Sequence, residues 1–489
     1  MPMHNHKQHQ KQTPFHSTPI KTPEEWKSHW KAQGQEWRTE PEISPQRQTE
    51  LTQCRALKPN EEKGIYPFGR VKLDRADIEW LLATHENGRG PIIWSDESQR
   101  ERTGLDLRGA DLRGDGTQKL NLKELPLSRV IGGFLGLCRV QTQGEQAAIH
   151  LEGANLFGAY LEGANLFGAH FEGADLSSAH FEGANLLSAH LERADLSHAH
   201  FEGVSLSYTH FEGADLSHAH LEGVSLWYAH FEGANLFDAH FEGADLSHAH
   251  LEGADLAHIH FADTHHIGPR IADAQWGDTN LAIVDWSLVT LLGDEYQARQ
   301  RYDEAEGQRK DKDTRIEEYK DAARANRQLS VMLQSQGLNE DATRFAYRAQ
   351  ALQKAVLWFR LIQDNTPFRT RLSLLGSWLF SWFMFLIAGY GYRFGRTFLT
   401  YLTAISGFAT LYYLYGISDV DAHGKPGPHH LSFYEAVVVS LTAFHGRGFF
   451  VGTFSPGDPQ ALVAAFEAFV GLLIEVIFIA TLTRRLFTQ

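Results

Sequence analysis

The fold is decided by a stretch that reads AHFEGADLSS at residues 169–178 and recurs with small changes along the middle of the chain. Each half of this stretch places Ala two residues before a large Phe or Leu, so the underlying period is five residues. Such a period matches neither a helix, at about 3.6 residues per turn, nor a flat strand, at about 2. It predicts a solenoid, in which each turn of the chain stacks on the one before.

The units follow the pattern A-(D/N)-L-x-x, and in this they resemble the pentapeptide-repeat family. They keep phase over residues 149–288, although residues 264–268 (THHIG) break the apolar pattern, and less regular units precede them. Trp276 and Trp286 supply bulky side chains suited to capping the far end of the stack. The resemblance implies a right-handed quadrilateral β-helix over residues 105–288, with four units per coil.

Histidine recurs every ten residues at an outward position of this repeat, and Glu follows two residues after most of these histidines. Stacked coils would align them in columns on two opposite faces. Imidazole titrates near about pH 6.5, so the columns could sense pH. The favoured interpretation is simpler, namely duplication of one repeat with solvated side chains, and no metal site is assigned because the pattern lacks the three or four convergent ligands that Zn or Ni needs. The candidate pH-sensing residues are His170, His190, His210, His230, His250, His180, His200, His220, His240 and His260.

Composition bounds the class of protein. A chain of 489 residues predicts several domains, and its net charge of −15 argues against a nucleic-acid partner. The two cysteines form no metal spacing, which favours a reducing compartment. We expect residues 1–60, which are polar and open with no signal peptide, to be mobile, and residues 61–104 to form a small cap region. Since no nucleophile–base set, phosphate loop or metal cluster emerges, we expect neither an enzyme nor a cofactor.

A charged, amphipathic segment follows at residues 293–364. It predicts two helices, 296–335 and 339–364, separated by Gly337-Leu338-Asn339. This pair weakly resembles a single tetratricopeptide-like hairpin. We favour a structural spacer that also oligomerises the chain, and a partner-binding hairpin is the alternative.

Three apolar runs follow, at residues 372–388, 397–417 and 461–483. The second and third are long enough to span a bilayer. The first is shorter and has Arg at both ends, so we predict an interfacial or re-entrant helix within residues 365–395. Basic residues outside the two spans predict that both termini face the cytoplasm, and we expect the membrane to be the inner membrane of a prokaryote.

The loop between the last two runs has the features of a pore. A short amphipathic helix at residues 431–441 precedes a Gly-x-Gly segment, and residues 396–489 resemble the two-helix potassium-channel pore domain of prokaryotes. That resemblance implies a homotetramer. The family reads T-V-G-Y-G where this chain reads F-H-G-R-G, so potassium selectivity is not assigned, and a Gly-Tyr-Gly at residues 389–391 is predicted to be a turn. The predicted selectivity filter comprises Thr442, Ala443, Phe444, His445, Gly446, Arg447 and Gly448.

Two carboxylates in the last span bear on the permeating ion. Intramembrane acids usually mark a pathway or a buried pair, and we expect Glu475 to face the cavity and favour monovalent cations, with Glu467 supporting the pore. A structural pairing of these acids is the alternative. The sequence thus predicts a cation-permeable channel with cytoplasmic rods that act as scaffold or sensor for an unidentified ligand or protein. A membrane-anchored scaffold, an anion channel through a ring of Arg447 and a topoisomerase-binding mimic of duplex DNA are the competing hypotheses, of which the last is disfavoured.

Overall fold

The computed structural model describes residues 22–60, 63–114, 119–133, 147–265, 267–303, 307–363, 367–415, 417–420, 426–429, 431–446 and 459–487. The chain forms two compact units, Met1–Asp215 and Leu216–Gln489.

The first unit begins with a helical region that includes much of the segment predicted to be mobile. Residues 1–21 lie outside the described part, but residues 22–60 are folded. Trp30 is buried, the Arg38 guanidinium lies 3.6 Å from the centre of its ring, and Leu51 is fully buried. Mobility was predicted from the polar composition of residues 1–60. That prediction is corrected for residues 22–60, because Trp30 and Leu51 are buried. The elements are α1 (Pro23–Lys31), α2 (Pro45–Ala56), α3 (Arg75–Ala83), α4 (His85–Gly88) and a 3₁₀ turn at Glu97–Gln99.

The repeats of the first unit form a β-helix held by parallel bridges. His150 pairs with His170, and the same spacing of 20 residues continues to Asp195 paired with Asp215, so one coil takes four five-residue units. Gly173, at a corner of the coil, has a φ of +65°, a conformation that side chains with a Cβ rarely adopt. The less regular units join the same stack through the bridges Asp111↔His150, Asn121↔Asn155 and Ile131↔Asn165. The inward side chains are excluded from solvent, among them Phe171, Phe181 and Phe201.

The second unit contains further coils and one insertion. His220 pairs with His240 at the same spacing of 20 residues, whereas Asp245 pairs with Arg270, 25 residues away. The five additional residues fall at 264–268, where the sequence pattern breaks. An insertion of one whole unit keeps inward and outward positions in phase, which explains why the solenoid continues beyond it.

Three helices follow the last coil: α5 (Gly293–Arg299), α6 (Lys312–Ser335) and α7 (Asn339–Leu361). Trp286 is buried and packs edge-on against Phe345 of α7, with ring centroids 6.0 Å apart. The Gln336 side chain donates a hydrogen bond to the Thr279 carbonyl at 2.7 Å, and Arg344 donates one to the Trp286 carbonyl. The tryptophan cap is therefore completed by the helical hairpin.

The first helix of this hairpin is shorter than predicted. Residues 296–335 were expected to be one helix, but α6 begins only at Lys312, after the N-cap Asp311. Before it, Tyr302 and Arg309 form an antiparallel bridge, which interrupts the helix. The break before the second helix is confirmed, because Gly337 has a φ of +82° and α7 begins at Asn339. The predicted inner face is confirmed as buried at Ala342, Phe345, Ala349, Leu352 and Val356, while Ala346 is only partly buried.

The C-terminal elements are α8 (Phe368–Ala388), α9 (Phe394–Tyr415), an antiparallel hairpin of β1 (Ile417–Val420) and β2 (Pro426–His429), α10 (Phe433–Phe444) and α11 (Pro459–Phe487). The Gly-Tyr-Gly at residues 389–391 is a 3₁₀ turn after α8, as predicted.

Among the described residues, two helices are long and apolar enough to cross a membrane: Phe368–Gly391 and Ala461–Thr483. The second coincides with a predicted span. The first contains residues 372–388, for which a short apolar run with Arg at both ends was the basis for an interfacial position; α8 has 21 residues, so its length alone does not exclude a span. The other predicted span, residues 397–417, corresponds to α9, which is not one of these two helices and which ends at Tyr415, before the strand that begins at Ile417.

Candidate functional site

The two long helices α9 and α11 form an antiparallel hairpin. Phe394 near the start of α9 contacts Phe478 near the end of α11, with ring centroids 5.2 Å apart. Phe408, further along α9, contacts Phe466, which lies earlier in α11, at 6.3 Å. The end of the hairpin that leads into the β1–β2 loop is therefore the end opposite Phe394 and Phe478.

The short helix α10 enters this hairpin and ends inside it. Near its start, Ala436 packs in a buried cluster with Tyr412, close to the loop end of α9. At its end, Phe444 is fully buried against Ile405 of α9 and Ile474 of α11, near the middle of both helices. The chain thus dips from one end of the hairpin to about half its depth.

A glycine permits this close approach. A Cβ added at Gly471 of α11 would lie 1.9 Å from the carbonyl oxygen of Phe444. No side chain can occupy that space, so the last turn of α10 lies directly against the α11 backbone.

The predicted filter is divided by the end of α10. Thr442–Phe444 form its last turn rather than a loop, because Ala443 and Phe444 continue its buried face. His445 is the C-cap, and Gly446 follows with a φ of +59°. Arg447 and Gly448 lie outside the described residues. The part of the predicted filter that leaves the helix therefore begins at His445.

His445 connects the end of α10 to both long helices. Its Nδ1 lies 2.8 Å from the Leu441 carbonyl, which can only accept, so Nδ1 carries a proton. Its Nε2 lies 3.1 Å from the Tyr401 hydroxyl of α9 and 3.3 Å from Oε1 of Glu475 in α11. A neutral ring accepts from Tyr401, whereas a protonated ring donates to Glu475. Glu475, expected to face a cavity, thus lies beside the predicted filter and is about one-third exposed (32%).

Glu467 has a different environment, because it is fully buried within the hairpin. The Tyr412 hydroxyl donates to its Oε2 at 2.8 Å, and its Oε1 lies 2.5 Å from the Ser440 hydroxyl of α10. Ser440 also lies 3.0 Å from the Ile405 carbonyl, to which it can donate. Since Ser440 has a single proton, both contacts are satisfied together when Glu467 is protonated and donates to Ser440. This geometry supports the alternative in which Glu467 has a structural role, paired with neighbouring side chains.

The polar partners of Glu467 and Glu475 were not predicted from the sequence. Tyr401 and Tyr412 lie on α9, which was predicted as an apolar span, and Ser440 lies on α10, which was predicted as a short amphipathic helix. The signal was present in α9, since Tyr401 and Tyr412 are eleven residues apart, about three helical turns, and share one face.

The His–Glu columns of the first unit are regular. The rings of His150 and His170 stack with centroids 4.8 Å apart, and those of His170 and His190 at 4.7 Å. Nδ1 of His170 lies 3.0 Å from Oε1 of Glu172, and this hydrogen bond raises the pKa of His170 above its usual value. Burial, the largest single influence, opposes ionisation of Glu172, but the hydrogen bond from His170, a backbone hydrogen bond and the charges of His170 and His190 together lower the pKa of Glu172. The same His-to-Glu contact recurs at His150, His180, His190, His200 and His210.

The second unit repeats this arrangement with one variation. His220 stacks on His240 at 5.0 Å and His230 on His250 at 4.6 Å, and each contacts the Glu two residues later. His260 has no such Glu and instead pairs with Asp238 at 2.9 Å. The hydrogen bond from His260 lowers the pKa of Asp238.

Comparison with known proteins identifies the repeat region. A sequence model described as pentapeptide repeat region matches residues 154–231, and one described as pentapeptide repeats (8 copies) matches residues 214–253. No match was found among curated proteins.

Several solved structures are also similar to this chain, and those of two pentapeptide repeat proteins are among them. HetL, involved in heterocyst differentiation regulation in the cyanobacterium Nostoc, is 28% identical over 36% of this chain and 80% of its own, with a TM-score of 0.15. A pentapeptide repeat protein from the thylakoid lumen of Arabidopsis thaliana is 32% identical over 22% of this chain and 70% of its own, with a TM-score of 0.14. QnrB1, a plasmid-mediated fluoroquinolone resistance protein, is 21% identical over 40% of this chain and 94% of its own, with a TM-score of 0.18.

Proposed function

We propose, for a chain that belongs to the pentapeptide-repeat family through its central repeats, that the C-terminal helices form a cation-permeable membrane pore. In this proposal four copies surround the pore, in a prokaryotic inner membrane, and the repeats form cytoplasmic rods. The observation that carries the proposal is α10, a helix of 12 residues that ends about halfway along a hairpin of two long helices.

The length of α10 is the first argument. Crossing the apolar core of a bilayer takes about 20 helical residues, so α10 can only enter and return. A chain that stops at membrane depth exposes unpaired carbonyl groups, which is tolerated only inside protein or along a water-filled cavity. The buried Phe444 and the space at Gly471 hold the end of α10 at that depth.

The charge at this position favours cations. The C-terminus of a helix carries a partial negative charge, and that of α10 lies where an ion would have the least water. Glu475 adds a carboxylate at the same level, within 3.3 Å of His445. A protonated His445 and the basic Arg447 would offset these negative charges. The pore therefore prefers cations only when the charges of Glu475 and the α10 C-terminus exceed those of His445 and Arg447.

The contacts of α8 support an interfacial position for this helix in spite of its length. Trp378 of α8 packs on Trp358 of α7 at 5.2 Å, and the Lys354 ammonium of α7 lies 4.1 Å from the Trp382 ring. Helix α7 carries charges such as Lys354 and Arg360 and cannot accompany α8 through an apolar core. Tryptophan is also typical of membrane interfaces. We therefore keep two spans, α9 and α11.

These contacts also give a route for gating. The hairpin of α6 and α7 is hydrogen-bonded to the last coil through Gln336 and Arg344, and α7 contacts α8 through Lys354. A ligand, partner or pH change that acts on the coils of the second unit would move α8, which leads into α9.

Ion flux into liposomes that contain the purified protein tests the proposal. Wild type should pass monovalent cations, and Gly446→Ala should reduce the flux because alanine is strained at a φ of +59° by about 1–2 kcal/mol. Gly448→Ala is a second probe of the predicted filter. Gly407→Ala is the matched control, since a Cβ there meets nothing within 4 Å and the flux should stay as in wild type. Reversal potentials in mixed salts would then identify the ion.

Absence of flux in wild type would favour the alternative, a membrane-anchored scaffold that does not conduct. Flux that Gly446→Ala and Gly448→Ala leave at the wild-type level would also contradict the pore assignment. A reversal potential that follows chloride would replace the cation channel by an anion channel through Arg447.

A further inference from the structure

Stacking of the coils places one glutamate between two histidines from successive coils. In the second unit, Oε1 of Glu232 lies 3.2 Å from Nδ1 of His230 and 3.8 Å from Nδ1 of His250. A tetrahedral Zn²⁺ holds its nitrogen and oxygen ligands at about 2.0–2.2 Å, which sets those ligands about 3.3–3.6 Å apart. The two observed distances bracket this range. The three ligand atoms lie within 4.8 Å of one another, and both partly exposed rings can tilt towards an ion.

The same set of ligands recurs along the columns. Each set of ligands contains a histidine, the glutamate two residues later and the histidine that stacks on the first one from the next coil. A further set in the second unit is formed by His240, Glu242 and His260. The first unit has the set His150, Glu152 and His170 and the set His170, Glu172 and His190.

A second observation concerns the other oxygen of these glutamates. Oε2 is buried and has no hydrogen-bond partner among the described residues at Glu152, Glu172, Glu232 and Glu242. Buried carboxylate oxygens are normally paired, because removing them from water without a partner is costly. A cation held at the carboxylate would compensate this charge on both oxygens.

We propose that the His–Glu columns bind divalent transition-metal ions such as Zn²⁺, each held by two stacked imidazoles and the glutamate between them. Imidazole with a single carboxylate suits Zn²⁺, Co²⁺ or Ni²⁺, whereas Ca²⁺ and Mg²⁺ require oxygen ligands throughout. Three protein ligands leave a fourth position for water. The ion replaces the proton between Nδ1 and Oε1: in a neutral ring this proton moves to Nε2, and a doubly protonated ring releases one proton when it binds metal. This inference does not depend on ion conduction.

The test titrates the purified full-length protein with Zn²⁺, and with Co²⁺ as a visible probe of tetrahedral sites. The background carries alanine at the histidines near the N-terminus, which could bind metal on their own: His4, His6, His9 and His16. The test variant keeps every column histidine and replaces by glutamine every glutamate that follows a column histidine by two residues, from Glu152 to Glu252. The control variant replaces histidines outside the columns, His198, His248 and His258, by alanine.

We expect the background protein to bind more than one equivalent of Zn²⁺ and to give the absorption bands of tetrahedral Co²⁺. The glutamine variant should bind about tenfold or more weakly, while the control binds as the background protein does. Circular dichroism without metal checks that the variant folds; if it does not, Glu232→Gln alone should reduce the stoichiometry by one. Absence of Zn²⁺ binding by the background protein, or unchanged affinity in a folded glutamine variant, would overturn the proposal.

Discussion

Replacement of Asp294 by asparagine should change how the stability of the second unit depends on pH. Asp294 lies in the first turn of α5, is only 4% exposed, and accepts a hydrogen bond from the Ile271 amide at 2.8 Å. Burial raises the pKa of this carboxyl to about 7, although nearby Arg270 opposes the rise. Asparagine keeps a neutral oxygen that can accept from Ile271 and removes the titration.

The sign follows from the direction of the shift. The folded-state pKa of Asp294 exceeds the unfolded value of about 3.9, so between these values the unfolded chain ionises while the folded chain keeps its proton. Wild type therefore loses stability as pH rises from about 4 to about 7, and the loss levels off above that. Between pH 5 and pH 8 the shift corresponds to roughly 2–3 kcal/mol, at about 1.36 kcal/mol per unit.

Thermal unfolding in detergent, followed by tryptophan fluorescence at pH 5 and pH 8, measures this difference. From pH 5 to pH 8, the Tm of wild type should fall by roughly 5 °C more than the Tm of Asp294→Asn changes, at about 2 °C per kcal/mol for a domain of this size. Asp285→Asn, at an exposed position near the same end of the solenoid, should follow wild type. Parallel pH profiles of wild type and Asp294→Asn would refute the reasoning, since they would mean that Asp294 is ionised in the folded protein.

Three further predictions concern packing and the columns. Gly471→Ala should destabilise the hairpin by about 1–3 kcal/mol in thermal unfolding, because its Cβ would meet the Phe444 carbonyl, whereas alanine in an open helical position normally adds stability. Trp286→Ala should cost about 3–5 kcal/mol and increase hydrogen exchange in α7, and unchanged exchange there would argue against the packing of α7 on the last coil. Since the bond to Glu172 raises the pKa of His170, its stabilisation is present below about pH 6.5 and is lost at higher pH. Glu172→Gln should therefore reduce the change in melting between pH 6 and pH 8, by up to about 1 kcal/mol, and an identical pH profile would contradict a sensing role.

The periodic parts of the chain were predictable almost residue by residue. In a solenoid the side-chain direction depends only on position within the five-residue unit, so the inward Ala, Leu and Phe could be assigned from the sequence and are buried. The same holds for the inner face of α7, where a regular spacing of three and four residues indicates the buried side.

The candidate sites depended more on packing. Ala443 and Phe444 are helical because the contacts with α9 and α11 extend α10, and no local pattern in the sequence predicts those contacts. The ligand set at Glu232 includes His250, 18 residues further along, and its convergence requires the spacing between coils.

The sequence by itself determined the period, the coil positions and the apolar stretches of the C-terminal region, because these follow from local patterns of apolar and polar residues. Only the tertiary structure decided where α10 ends, that Glu467 is enclosed by Tyr412 and Ser440, and that column glutamates such as Glu232 lie between two histidines. These features join residues that are distant in the chain, and their distances are set by how helices and coils pack.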